Sequence, residues 1–312
     1  MATLMQRWMG RGNVINPSYS LGERIAGALD ITRPVLTFMG ALGVSSAVAL
    51  SLRAIPPWHQ CLAGFIAALI AFGGIHAFND FVDARRDQSC WPGRPIPSRR
   101  LTSSQALSLA VLSFAVSLAL VGIFFTRLSL EISLIAVALS CLYSGYLRDK
   151  VGYLVLPPIQ GLLWLCGWAA FSPDTLFNSW LPWLLYLFSI AWQSGHIMIY
   201  SPLHPLRKIK GTTLTQVPAL FFHTSARVAA AMGFWFLCLA VALGLYLGFY
   251  AHLGWIYVVP VALISLPALQ ASHRFSRAPE DFGRGIKAFS FATYYMLAAR
   301  VFILINVLLL AV

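Results

Sequence analysis

Long apolar runs alternate with short polar ones along most of the chain. The runs are roughly 20 residues each, long enough for a helix to cross the hydrocarbon core of a bilayer. The pattern predicts nine of them, at 33–52, 59–78, 105–126, 129–147, 152–171, 180–200, 228–249, 252–271 and 288–311. Helices are the expected form, because lipid offers exposed backbone groups no hydrogen-bond partners. The runs 105–126 with 129–147, and 228–249 with 252–271, are close enough to form antiparallel hairpins. Pro157 and Pro158 fall inside the fifth run and are expected to bend or interrupt it. The reading is an all-α polytopic membrane protein, one intramembrane domain over 1–312 with 1–30 as its cytoplasmic N-terminal segment.

Composition supports this and removes other classes. The chain is 59% hydrophobic and only 10% charged, which excludes an ordinary soluble domain. A net charge of +12 invites a nucleic-acid reading, but the distribution of Lys and Arg argues against it. With nine crossings, 19 of the 22 Lys and Arg residues fall on one side. Arg53 and Arg127 lie on the other, and Arg300 lies inside the last run. That asymmetry assigns the N-terminus and the even-numbered loops to the cytoplasm, and no nucleic-acid partner is expected. Four of the five cysteines lie in apolar runs and none forms a CxxC pair, so neither a disulfide framework nor a zinc site is expected. Arg7, Arg11 and Arg24 precede no short apolar core with a small-residue cleavage site, so no cleaved signal peptide is expected.

The polar chemistry concentrates where the second run ends, in "FNDFVDARRDQSCWPGRPIPSRR", residues 78–100. The whole chain has ten carboxylates, and three of them, Asp80, Asp83 and Asp87, stand within eight residues, beside Asn79. On a helix continuing from the run, Asn79, Asp83, Asp87 and Asp80 fall at roughly 0°, 40°, 80° and 100°, one quarter of the surface. Carboxylates so placed repel one another unless a cation sits among them. An all-oxygen donor set without thiolate favours a hard ion, magnesium above calcium or manganese. The competing reading is a solvated helix end neutralised by Arg85 and Arg86. Arg94, Arg99 and Arg100 come next along the chain, and magnesium beside guanidinium suits a diphosphate. At the cytoplasmic mouth of an apolar bundle, the fitting ligand has a diphosphate head and a hydrocarbon tail. "YSGYLRDKVG", 143–152, adds Tyr143, Tyr146, Arg148 and Lys150, which are either further diphosphate contacts or ordinary interface and topology residues.

Asn79-Asp80-x-x-Asp83-x-x-x-Asp87, "RPIPS" at 94–98, "YSGYLRDK" after the fourth run and "TRPVL" at 32–36 together resemble the UbiA superfamily of intramembrane prenyltransferases. The resemblance implies an all-helical bundle around a lateral, lipid-accessible cavity. It implies an isoprenyl diphosphate, C10 to C20 or longer, ionised with Mg2+ and captured by an aromatic or other lipophilic acceptor. Some members of the superfamily are terpene cyclases instead. Asn79, Asp80, Asp83 and Asp87 would hold the metal; Arg94, Tyr143, Tyr146, Arg148 and Lys150 would meet the diphosphate.

One departure stands out. The family carries a second Asp-rich motif after the sixth span, but "GHIMIYSPLHPLRKIKGTTLTQ", 195–216, has no carboxylate. Arg207, Lys208 and Lys210 stand there, with His196 and His204. Either these cations neutralise the diphosphate directly in place of a second metal, or they are cytoplasmic charges of the usual kind and the activity is altered. A terpene cyclase, a transporter of an anionic lipid or metabolite and a non-catalytic paralogue are the alternatives to a prenyltransferase. Arg300 is costly in lipid and requires a partner or a cavity.

Overall fold

The structure is a computed structural model that describes residues 19–203, 216–218 and 223–310. Ten helices make the body: α1 (Leu21–Ile31), α2 (Pro34–Leu52), α3 (Trp58–Cys90), α4 (Ser103–Phe124), α5 (Arg127–Leu142), α6 (Leu156–Ala169), α7 (Leu181–Tyr200), α8 (Ala226–Tyr250), α9 (Gly254–Arg277) and α10 (Phe282–Leu310). A π-helical turn, Tyr143–Leu147, and a single turn, Arg148–Val151, extend α5. A short antiparallel ribbon, β1 (Gln216–Pro218) with β2 (His223–Ser225), precedes α8 and is the one departure from an all-helical chain among the described residues.

Polar punctuation sets the helix starts. Ser20 with Glu23 and Thr102 with Gln105 form reciprocal capping boxes at α1 and α4. Thr126 and Ser225 cap α5 and α8 by accepting from Ser129 N and Val228 N. Pro157 and Pro158, expected from the hydrophobic pattern to bend or interrupt a helix, lie instead in the first turn of α6, which begins at Leu156. The N–H groups there have no intrahelical partner, so proline costs nothing. Helix α9 carries internal prolines, Pro260 and Pro267.

Among the described residues, seven helical stretches are long and apolar enough to cross a membrane: α2, α3, α4, α5 with its π-turn, α8, α9 and α10. The other two predicted runs correspond to α6, of 14 residues, and to α7. Helix α7 is the inner post of the bundle, with fourteen of its 20 residues buried. Its Gly195 lets the backbone of α8 approach closely: a Cβ there would stand 3.1 Å from Gly233 O and 3.0 Å from Leu237 N. Trp164, Phe188, Trp192, Tyr257 and Tyr295 fill the core around it. The buried hydroxyls of Tyr257 and Tyr295 donate to Gly244 O (3.0 Å) and Ala240 O (3.1 Å). Trp235, Leu239, Leu263 and Leu266 point outward, as lipid-facing positions do.

Helix α3 carries the acidic residues out of the apolar bundle. Its 33 residues make a rod of about 50 Å, against a hydrocarbon core of about 30 Å. The stretch from Asn79 onward therefore extends beyond the apolar run, still helical, as the sequence predicts.

Candidate active site

The polar end of α3 is buried by its neighbours. Asp80, Asp83 and Asp87 are 3%, 7% and 2% exposed, so this is not a solvated helix end. Arg85 and Arg86, the expected neutralising partners under that competing reading, are exposed; Arg86 comes only to 3.9 Å of Asp83. Three other arginines meet the carboxylates. Arg33 donates to Asp80 at 2.6 Å. Arg94 Nη1 lies 2.7 Å from Asp87 Oδ2 and 3.3 Å from Asp80 Oδ1. Arg148 uses both terminal nitrogens on Asp83, with Nη1–Oδ2 at 2.5 Å. Asn79 donates to Ser144 Oγ on the π-turn at 3.3 Å.

Each arginine is delivered by a distinct piece of backbone. Arg33 precedes Pro34 of α2 and has left-handed dihedrals (φ 51°, ψ 65°), strained for a residue with a side chain. Arg94 opens the "RPIPS" turn. Arg100 fixes that turn from within, donating to Gly93 O at 3.0 Å, to Ser98 Oγ at 3.2 Å and to Asp30 of α1. Trp91 stacks on Tyr200 of α7, 6.3 Å away and 13° from parallel, and Arg94 lies 5.3 Å over the Trp91 ring. Arg148 comes from the turn after the π-helical bulge, a device that re-aims side chains near functional sites.

Charge and burial oppose each other here. Burial, first, and the neighbouring Asp80 and Asp83 outweigh the pull of Arg94 and leave the Asp87 carboxyl raised to about 6. Burial works against the charge of Arg94, but Asp80 and Asp87 more than offset it and raise its pKa. Three buried carboxylates and three guanidiniums thus form a cluster that is neutral as a set.

A metal fits the donor set in part. Asp80 and Asp87 already converge on one cationic nitrogen, Arg94 Nη1, which stands where a cation shared by the two would sit. Asp83 is turned to Arg148 instead. Among the described residues no three His, Cys, Asp or Glu side chains form a metal site. A magnesium ion held by these residues would need further oxygen donors, such as those of a phosphate or water, the usual manner for that ion.

The cluster opens onto a cavity of about 290 Å³. Arg33, Asn79, Asp83, Asp87, Arg94, Tyr143 and Arg148 line its mouth; Trp192, His196 and Arg300 line it further in. A second cavity, about 760 Å³ and almost wholly apolar, lies between α2, α3, α4, α5, α6 and α10, and the two share Ile75 as a wall.

Of the sequence-predicted residues, Asn79, Asp80, Asp83, Asp87, Arg94, Tyr143 and Arg148 come together. Tyr146 and Lys150 do not: both are exposed, the ammonium sits 5.2 Å over the Tyr146 ring, and neither lines the cavity. Arg207, Lys208 and Lys210 lie outside the described residues, as does His204. Sequence reasoning uses Arg33 only as a topology charge and does not single out Trp91. The "TRPVL" resemblance is the signal that would have found Arg33; nothing in the sequence marks Trp91.

Comparison with known proteins agrees with this architecture. A digeranylgeranylglyceryl phosphate synthase of Methanopyrus kandleri is 32% identical over 146 residues, covering 45% of this chain and 51% of that protein. The match thus spans about half of that relative's length. A UbiA homologue from Aeropyrum pernix K1, in its apo structure, has the same fold, with a TM-score of 0.65 at 17% identity over 88% of this chain and 98% of that one. A UbiA homologue from Archaeoglobus fulgidus, solved with GPP and Mg2+ bound, superposes with a TM-score of 0.57 at 13% identity over 89% and 99% of the two chains. The model of the UbiA prenyltransferase family matches residues 38–309, and the chain belongs to that family.

Proposed function

We propose that this protein is a magnesium-dependent prenyltransferase that joins an isoprenyl group, from an isoprenyl diphosphate, to a lipophilic acceptor within the membrane. The observation that carries the reading is the arginine–carboxylate cluster at the mouth of one cavity that abuts a larger apolar one at Ile75. A diphosphate and a hydrocarbon tail need that pair of environments. The homologue bound to GPP and Mg2+ supports both the substrate class and the metal.

The reaction breaks the allylic C–O bond, and the electron pair leaves with the diphosphate. Arg94, Arg148 and Arg33 are the groups able to give charge-assisted hydrogen bonds to the oxygens that gain charge. Asp80, Asp83 and Asp87, with Asn79, would hold magnesium, which when bound offsets part of the diphosphate charge. The allyl cation left behind must be kept from water, and the aromatic faces of Trp91, Trp192 and Tyr200 can stabilise it. It bonds to a nucleophilic atom of the acceptor, which then loses its proton. The Lys and Arg asymmetry supports a cytoplasmic position for these loops.

The test is incubation of the purified full chain with C10, C15 and C20 diphosphates, Mg2+ and a panel of lipophilic acceptors, then product mass spectrometry. Prenylated acceptor supports the reading. Diphosphate release with a cyclised hydrocarbon and no adduct makes the protein a cyclase. No turnover with any of the three removes the catalytic reading.

A further inference from the structure

Helix α1 is too short to cross a bilayer: its 11 residues rise about 16 Å. At about 100° per residue, Leu21, Ile25 and Leu29 fall at about 0°, 40° and 80°, and the buried Gly27 and Ile31 at about 240° and 280°. The three apolar side chains are 75%, 55% and 59% exposed and face away from the protein. On the buried side, Ile31 packs with Ala77 of α3 and with Leu101, Ala106 and Ala110 around the start of α4. Helix α4 then runs into the apolar bundle with Val111, Leu112 and Val116 exposed, a lipid-facing surface. The stripe of α1 continues that surface at the end of the bundle that carries the carboxylates. Arg24 on α1 and Arg99, on the turn against which Gly27 packs, are both exposed. The two acids of α1 are spent within the protein, Glu23 on Ser20 and Asp30 on Arg100, so the charge beside the stripe is positive.

The same helix holds the turn that delivers Arg94. Tyr19, just before α1, donates its hydroxyl to Ser98 O at 2.5 Å. Asp30 accepts from Arg100. Gly27 lets the turn come close: a Cβ there would stand 3.0 Å from Arg100 Cβ. At its C-terminal end α1 is joined to α2 by Thr32 and Arg33 alone, and the Arg33 guanidinium donates to Asp80. Arg33 and Arg94, which share Asp80, are thus tied to one helix.

We infer that α1 is an anchor lying in the plane of the membrane surface, and that its seating there positions Arg33 and Arg94. Leu21, Ile25 and Leu29 enter the interfacial layer of the bilayer, and Arg24 and Arg99 meet anionic lipid headgroups. The bilayer is the occupant because the stripe is continuous with the lipid-facing side of α4 and is flanked by positive charge. A helix dislodged from that layer would loosen the turn through Tyr19 and Asp30, and would pull on Arg33 through the two-residue link. The residues of the stripe are positioning residues: they touch neither cavity. The positioning rests on the diphosphate reading of the cluster; the anchoring does not.

The test uses the full chain in vesicles of phosphatidylcholine with phosphatidylglycerol. A nitroxide is attached at Ile25→Cys, or at Arg24→Cys, in a chain whose own cysteines are replaced by serine. The label at 25 should be open to oxygen, which concentrates in lipid, and shielded from a water-soluble nickel complex; the label at 24 should show the reverse. A label at 25 open to nickel, or shielded from both by covering protein, overturns the anchor. A second readout needs no substitution and decides alone if the cysteine-free chain fails to fold. Backbone amides of 20–31 in the parent should exchange hydrogen about fivefold more slowly in these vesicles than in phosphatidylcholine alone; equal rates overturn the headgroup contact. For the positioning, Leu21→Gln, Ile25→Gln and Leu29→Gln together should weaken binding of inorganic diphosphate with Mg2+ by about fivefold or more, whereas Met at all three should keep the parent's affinity. Unchanged affinity in the Gln variant, with its label displaced, overturns the positioning. A parent that binds no diphosphate removes the clamp, and the positioning with it, while the first two readouts still decide the anchor.

Discussion

Removing Arg94 should leave a protein that depends on magnesium for its stability. Among the described residues Arg94 is the one cation shared by Asp80 and Asp87, at 3.3 and 2.7 Å, with all three groups buried. Asp80 keeps Arg33 after the change, but Asp87 has no other cationic partner within salt-bridge distance among the described residues. Breaking a buried pair by removing one member costs about 3–5 kcal/mol, because the survivor is a buried, uncompensated charge. An orphaned carboxylate escapes part of that cost by taking up a proton, so the lower end, about 3 kcal/mol, is expected. If the point occupied by Arg94 Nη1 is a cation site, Mg2+ should fill it in Arg94→Ala and recover most of the loss. In the parent the guanidinium competes for the same two carboxylates, so magnesium without diphosphate should do little.

The assay is thermal unfolding in detergent, for parent and Arg94→Ala, across a magnesium titration with EDTA as the zero point. Stabilisation by a ligand that binds only the folded state grows as RT ln(1 + [L]/Kd), so the midpoint of the variant should climb steadily with concentration. Calcium, larger and less demanding of geometry, serves as the comparison ion. Equal magnesium shifts in parent and variant would refute the reasoning. They would mean that Asp80 and Asp87 converge on a guanidinium and on nothing else.

Three further outcomes are expected. Asp83→Asn should abolish diphosphate release from an allylic diphosphate while the helical circular-dichroism spectrum stays intact; retained release at every magnesium concentration removes Asp83 from the metal set. Arg94→Lys should raise the half-saturating concentration of prenyl diphosphate by more than tenfold, because a point charge lacks the planar fork, whereas Lys150→Ala, exposed and turned to Tyr146, should change it by less than about twofold. Neutralising Arg207, Lys208 and Lys210 together should lower turnover at saturating magnesium with no rescue by more; rescue by added metal would show that these cations do not stand in for a second one.

The hydrophobic pattern carried most of the architecture because bilayer thickness is a strict ruler. Seven of the predicted runs became helices long enough to cross, and the acidic face of α3 stayed helical and inward, as its spacing indicates. What stayed hidden was decided by tertiary geometry. Arg33 reaches Asp80 only through a left-handed backbone that no residue type announces. Tyr146 and Lys150 sit in the right motif, but a π-helical turn rotates Arg148 inward and those two outward. Trp91 looks like a loop residue, yet it is 2% exposed because Tyr200, more than a hundred positions away, supplies its stacking partner. The prolines at 157 and 158 misled for a local reason: a shift of a few residues in the helix start turns a breaker into a favourable first-turn residue.

The concentration of acid at the end of α3 is matched by an equal number of arginines. Three buried carboxylates alone would repel each other, and the three guanidiniums beside them alone would too. Interleaved, they make a neutral cluster that can exist in a low-dielectric setting without ligand. Under the proposed function, an arriving magnesium diphosphate would offer both signs at once: the cation would suit the carboxylates and the anion the arginines. Binding would then exchange partners within the cluster and leave no charge buried alone. That exchange costs far less than burying new charge, and it requires the two sets to be matched in number before the ligand arrives. Arg33, Arg94 and Arg148 against Asp80, Asp83 and Asp87 meet that requirement, with three of the chain's ten carboxylates placed here.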